Sequence, residues 1–369
     1  MIKQLFFPRF IAAIVVLVFH FFANYPDHSP LTRTFLFRLF NTGDLAVIFF
    51  FILSGFILSY VYFNKIKELN LKQFYAFRFA RIYPAYLLSI LLYLLIGLVY
   101  GKDYYIHSNT LILNILMVQG WIPNSIGLLN FAAWSVSVEI FFYLLFPFLL
   151  KGINYLNINA LSLILLGVGV WAGYHFAVIP VSKIVDIPAV FKYLPVFIIG
   201  VIAGIVFRKL PNPFPKFRYK NYIFHTTILA IALLVILYVY GIYKYNLNSV
   251  DNSVAVLIFT LLIVVLAWDT SFLSRILSNQ FLLILGEISY GIYILQFPVR
   301  FWFGKLCEIF GYGQSSTIVS YLFVPFLIGF AYVSFILIEE PARHMAKRYF
   351  VRQALRIKKA EEGDGLVTV

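Results

Sequence analysis

Ten apolar segments of membrane-crossing length recur along this chain, near 5–24, 45–64, 82–100, 133–150, 159–178, 190–207, 223–243, 252–268, 281–302 and 318–338. They confine it to an all-α, polytopic membrane bundle of ten transmembrane helices. Hydrocarbon about 30 Å thick is crossed by roughly 20 apolar residues in a helix, which satisfies its own backbone where no water can. Only 12% of residues are charged, against roughly a quarter in soluble domains, so no large soluble domain competes with this fold. A further apolar stretch, TLILNILMVQGWI at 110–122, is too short to span comfortably and reads as a re-entrant or interfacial segment. Counting it as a span would reverse every later loop, and the basic residues decide against that. With ten spans and a cytoplasmic N-terminus, 21 of the 29 Lys and Arg fall inside, as the positive-inside rule requires.

The domain reading follows from the same pattern. Residues 1–345 form one integral-membrane domain, and 346–369 a basic cytoplasmic tail that ends in EEGDGLVTV, read as disordered. Lys347, Arg348, Arg352, Arg356, Lys358 and Lys359 suit anionic lipid. The net charge of +14 is thus mostly a topology signal, and nucleic acid is not an expected partner. The single cysteine, Cys307, excludes an intramolecular disulfide, and no Cys/His cluster has zinc-site spacing. No metal is expected. The first segment lacks a small-residue cleavage site and is read as a retained span. Localisation is expected in a bacterial inner or plasma membrane, both termini cytoplasmic; oligomeric state is left open.

Arg9 and His20 share that first span, in PRFIAAIVVLVFHFF. An ionisable residue inside a span is costly, roughly 2.5–3.5 kcal/mol at the centre on insertion scales, and marks function by default. Eleven helical steps separate the two by roughly 16 Å, with Arg9 near the membrane edge and His20 deep. FRFARIYPAYLL places Arg78 and Arg81 one turn apart at the cytoplasmic end of span three. Guanidinium forks suit phosphate there, although topology anchoring explains them equally well.

WSVSVEIFF opens span four with Ser135, Ser137 and Glu139. A carboxylate in apolar sequence needs a partner, and His20 is the expected one by depth. Glu139 lies roughly 9 Å below residue 133, and His20 about 6 Å below residue 24. Helix pinning by Glu139 is the alternative. Ser54 and Gly55 interrupt span two, where small residues allow close packing. In span nine, LGEISYGIYILQFPVR, Glu287, Ser289, Tyr290, Tyr293 and Gln296 should look inward. His28, His107, His175, His225 and His344 read as interfacial.

In this order, PRFIAAIVVLVFHF, FFFILSGFIL, RFARIYPAYLL, WSVSVEIFFYLLFP, LGEISYGIYILQFP and EEPAR resemble the membrane-bound acyltransferase-3 family, ten-helix O-acyltransferases that modify cell-surface polysaccharides and related acceptors. The resemblance covers nearly the whole chain. It implies that His20 is catalytic, that Arg9 assists it, and that Arg78 and Arg81 help to hold the acyl donor. Two departures stand out. Ala46 and Ile48 replace a Gly and Asp common before the FF of span two, with Asp44 standing earlier. Gln296 stands where relatives often have histidine, which implies a different acceptor contact.

The expectation is therefore a membrane O-acyltransferase. It would move an acyl group, acetyl foremost, from cytoplasmic acyl-CoA as co-substrate to a hydroxyl of an exported carbohydrate. No permanently bound cofactor is expected. Glu139 or Ser137 would orient His20, with Ser54, Ser135, Tyr290 and Gln296 in the supporting pocket. A transporter or proton-coupled carrier, with Arg, His and Glu as a relay, is the alternative class. The absence of internal repeat symmetry and the presence of the Arg pair count against it.

Overall fold

The computed structural model describes residues 2–22, 43–101, 107–125, 127, 129–210, 227–230, 233–234, 253–313 and 317–364. After a short 3₁₀ turn at Lys3–Leu5 come α1 (Phe6–Phe21), α2 (Gly43–Tyr62), α3 (Leu71–Tyr100), α4 (Ser108–Ile115), α5 (Ala133–Tyr155), α6 (Ala160–Gly173) and α7 (Ala189–Lys209). Then follow α8 (Ser253–Trp268), α9 (Phe272–Leu277), α10 (Gln280–Ile309), α11 (Thr317–Ser334) and α12 (Glu340–Asp364). Among the described residues every element is helical. Eight helices are long and apolar enough to cross a membrane: Lys3–Phe21, Leu45–Glu68, Leu71–Tyr100, Ala133–Tyr155, Ala160–Ser182, Ala189–Lys209, Gln280–Ile309 and Ile318–Gln353. Of the ten expected spans, 252–268 is the shorter helix α8, and 223–243 lies outside the described residues except for 227–230 and 233–234.

Asparagine side chains start three of the long helices. Asn70, Asn159 and Asn279 accept from the backbone N–H of Gln73 (3.1 Å), Ser162 (2.8 Å) and Phe281 (2.9 Å), satisfying donors that a helix N-terminus leaves open. The most extensive pairing is α2 on α7. There Gly55 faces the backbone of Phe197 and Val201, and Gly200 and Gly204 face the backbone of Ile52 and Phe56. In lipid, helix association rests on such close packing of small residues, so the Ser54–Gly55 break in span two serves contact with α7. α1 lies between α2 and α10. It runs parallel to α10, since Gly286 abuts the Phe6 backbone while Gln296 meets His20 further along. On the periphery, Leu161, Leu165 and Phe176 are exposed, as a lipid-facing surface requires.

The short apolar stretch does not span. α4 has eight residues, about 12 Å of helix, and Met117 then turns the chain with a φ of 58°. The described residues from there to Ala132 are non-helical, and protein groups hold them. The Tyr86 hydroxyl donates to Asn114 O (2.8 Å), and Gln119 Nε2 to the Tyr86 hydroxyl (2.9 Å) and to Ala133 O (3.0 Å). Ser137 Oγ donates to Met117 O (2.6 Å) and accepts from Gly120 N (3.0 Å). Irregular backbone inside a bundle is tolerated on those terms. Beyond the π turn at Phe335–Glu339, the basic tail is helical as far as Asp364. The residues 361–364, assigned by composition to a disordered end, therefore lie in α12.

Candidate active site

Two polar regions occupy the bundle, and α1 reaches both. At one, His20 Nδ1 meets Gln296 Oε1 at 3.1 Å. Aromatic rings surround the imidazole, with centroids at 4.9 Å for Phe297, 5.3 Å for Phe19, 5.6 Å for Phe131 and 6.3 Å for Phe21. Pro298 lacks an N–H and so leaves the Ile294 carbonyl without its helical donor. Asn130 Nδ2 takes that carbonyl at 2.8 Å and Ser89 Oγ at 3.3 Å. This bond docks the segment before α5 at the level of His20.

At the other region a narrow cavity of about 60 Å³ is lined by Arg9, Arg78, Arg81, Ser54, Glu139 and Tyr143, with Ser135, Ser289, Tyr290 and Tyr293 beside them. Glu139 Oε1 accepts from Ser54 Oγ at 2.6 Å and from the Tyr143 hydroxyl. The Arg78 guanidinium lies 5.9 Å from the ring centroids of both Phe74 and Tyr143. Its buried Nε has no hydrogen-bond partner among the described residues. Three guanidiniums against one carboxylate leave this pocket positive and able to take an anion.

Arg78 and Arg81 also line a wider cavity of about 410 Å³ with Glu287, Arg343 and Lys347. They stand where the two cavities meet. Arg343 Nη1 pairs with Glu287 Oε2 at 2.6 Å, and its Nη2 lies 3.8 Å from the fully buried Glu339. On α10, Glu287, Tyr290, Tyr293 and Gln296 recur every three residues, a strip that winds about 60° round the helix per step, so Tyr290 and Tyr293 line the narrow cavity while Glu287 and Gln296 lie on opposite sides of the helix. Ser135 Oγ and the Tyr293 hydroxyl share a 2.7 Å hydrogen bond at that cavity, and the Tyr290 hydroxyl donates to Ile82 O at 2.9 Å.

The expected pairing of Glu139 with His20 is not found: the imidazole bonds Gln296, and the carboxylate sits among the arginines. Depth explains it. The start of α5 is sunk into the bundle, with Phe131 against His20, so Glu139, six residues past Ala133, lies roughly 9 Å further toward the arginines. Ser137 faces away from the pocket and pins residues 117–121; Trp121 Nε1 bonds its carbonyl at 3.0 Å. Gln296, expected to bear on the acceptor, faces the catalytic candidate instead. The sequence reading left out Tyr143 and Arg343, although Tyr143 stands one turn past Glu139 and Arg343 lies in the EEPAR segment. His175 bonds Ser253 Oγ at 2.9 Å, and His344 lies 3.7 Å from Glu340. His28 and His225 lie outside the described residues, as does the Asp44 side chain. Among the described residues no three His, Cys, Asp or Glu side chains gather as a metal site needs.

A family model described as an acyltransferase domain matches residues 7–339. Among curated proteins, the chain is 31% identical over 144 residues to acyltransferase MdmB of Streptomyces mycarofaciens, covering 38% of this chain and 36% of that protein. It is 25% identical over 283 residues to O-acetyltransferase OatA of Staphylococcus aureus, covering 70% and 46%. An O-acetyl transferase of Shigella phage Sf6 is 35% identical over 104 residues, covering 27% and 29%. The matches span less than half the length of each of these relatives. No solved structure matches the chain.

Proposed function

The chain belongs to the acyltransferase domain family, and from that membership we propose that it is a membrane O-acyltransferase acting between a cytoplasmic acyl-CoA and a hydroxyl of an exported glycan. One observation carries the reading: a pocket with three arginines and a single carboxylate shares one helix, α1, with a histidine set among aromatic rings. Acyl-CoA is made in the cytoplasm and is polyanionic at one end, with the reactive thioester at the tip of a long arm. Arg78 and Arg81, at the junction of the two cavities, take its phosphates with Arg9. Glu139, held by Ser54 and Tyr143, keeps the guanidiniums in place. The arm follows Tyr290, Ser135 and Tyr293 and brings the thioester to His20.

There the imidazole takes the proton of the acceptor hydroxyl as its oxygen attacks the acyl carbon. The C–S bond breaks, the thiolate collects the proton, and the products are an ester and free CoA. On this reading the arginine end faces the cytoplasm of a bacterial inner membrane. By its hydropathy the chain would cross ten times, with both termini cytoplasmic. Acetyl is the acyl group in the names of two of the relatives. Mass spectrometry of surface glycan from cells carrying the wild-type gene or His20→Ala tests the proposal. An acyl increment present only with the wild type is expected, and identical glycans in the two strains would overturn it.

A further inference from the structure

Gln296 fixes which nitrogen of His20 is the base. Its amide is held at both ends: Nε2 donates to the Tyr293 carbonyl at 2.8 Å, and Oε1 faces His20 Nδ1 at 3.1 Å. The opposite amide orientation would set Oε1 against the Tyr293 carbonyl, two acceptors face to face, so the backbone of α10 dictates how the side chain points. An amide oxygen carries no proton. The proton between the two residues must therefore belong to Nδ1, and a neutral imidazole protonated there keeps its lone pair on Nε2.

We infer that Gln296 is a positioning residue that holds His20 as the Nδ1–H tautomer, so that Nε2 receives the acceptor proton. This rests on the acyl-transfer reading of the site. The amide differs from a carboxylate in one respect that matters here: it orients the ring without adding a charge. Among the described residues no carboxylate is hydrogen-bonded to the imidazole that becomes charged when the hydroxyl proton moves to Nε2. The proton passes on to the thiolate sulfur as the C–S bond breaks, leaving neutral His20, ester and CoA thiol. The arrangement is specific to the residues at hand. Gln296 lies two residues past Ile294, whose carbonyl takes the docking bond from Asn130, and its ring partner is packed against both Phe131 and Phe297.

The test uses the full chain in lipid nanodiscs with ¹⁵N-labelled histidine, the His20 signals being assigned by their loss in His20→Ala. The wild type should show a protonated Nδ1 and an unprotonated Nε2. Gln296→Met keeps the length but not the acceptor. It should give a mixture of tautomers and slow acyl transfer by about 10–100-fold, the range for groups that orient a functional imidazole. Gln296→Glu restores an acceptor oxygen and should recover the single tautomer and most of the rate. A wild-type spectrum with Nδ1 unprotonated overturns the inference even if neither variant folds. A Gln296→Met protein with unchanged tautomer and unchanged rate overturns it too. If His20→Ala still transfers acyl groups, the proposed function of the site fails instead. An inactive His20→Ala beside a wild-type-like Gln296→Met removes only the role of Gln296.

Discussion

Where Arg9, Arg78 and Arg81 meet, a carboxylate held by two hydroxyls balances part of their charge; roughly 16 Å along α1, a neutral amide and four aromatic rings surround an imidazole. The first region is a place for holding a charged group, because buried guanidiniums with spare donors gain most from an anion. The second suits proton transfer, which needs one oriented lone pair and little competing water. Both regions draw a residue from α1, and the proposed function uses that to hold a ligand by its charged end and react it at the other. Neither region has both the charge to bind and the geometry to react.

That division can be broken by mutation. His20→Ala should lower turnover by about 10²–10⁴-fold, the usual cost of a lost general base, while the apparent constant for acyl-CoA changes little. More than a tenth of wild-type turnover in a glycan acylation assay would place the chemistry elsewhere. Replacing Arg78 and Arg81 together with Ala should do the reverse. Donor binding, measured by calorimetry with CoA, should weaken by about 10–150-fold, the equivalent of one lost charge-assisted hydrogen bond. A Lys at either position should restore only part of it, and equal CoA affinity in the double variant would reduce the pair to topology anchors.

Glu139→Gln sharpens the contrast because the residue stood, by sequence, with His20. Its place among the arginines predicts a donor constant altered by less than about tenfold, as expected of a partly buried hydrogen-bonded charge, with turnover at saturating donor nearly unchanged. A loss confined to turnover would return Glu139 to the imidazole. Smallest of all, Ser137→Ala removes the bonds to Met117 O and Gly120 N. It should cost about 1–3 kcal/mol of stability, seen as a lower melting temperature, with kinetics intact. Kinetic damage exceeding that of Glu139→Gln would show that the 117–121 segment belongs to the site.

The sequence carried the eight long helices because hydropathy writes them directly, and it carried the Arg9-to-His20 spacing because both residues share one helix. It also carried the failure of 110–122 to span, through the balance of basic residues. It misplaced Glu139 for a physical reason. Depth was counted from residue 133 as though α5 began at the membrane edge, but the chain before it folds back into the protein and docks through Asn130 on a carbonyl that Pro298 set free. Hydropathy does not record such a detour, since its bonds run from polar side chains to distant backbone. The separation of Ser135 from Ser137 was within reach, because neighbours two apart on a helix do not share a face.

α1 also acts as a ruler. Arg9 and His20 are eleven residues apart, close to three full turns, so both point the same way and their separation is set by a rigid rod. The arm of an acyl-CoA has one length whatever acyl group it carries. With acyl-CoA as the donor, as proposed, a fixed rod would deliver every thioester to the same spot beside His20, and a longer acyl chain would have to extend past the imidazole. On that proposal choice among acyl groups would fall to the rings beside His20, Phe131 and Phe297, where added bulk would have to find room, while the arginines would be indifferent to what the arm delivers.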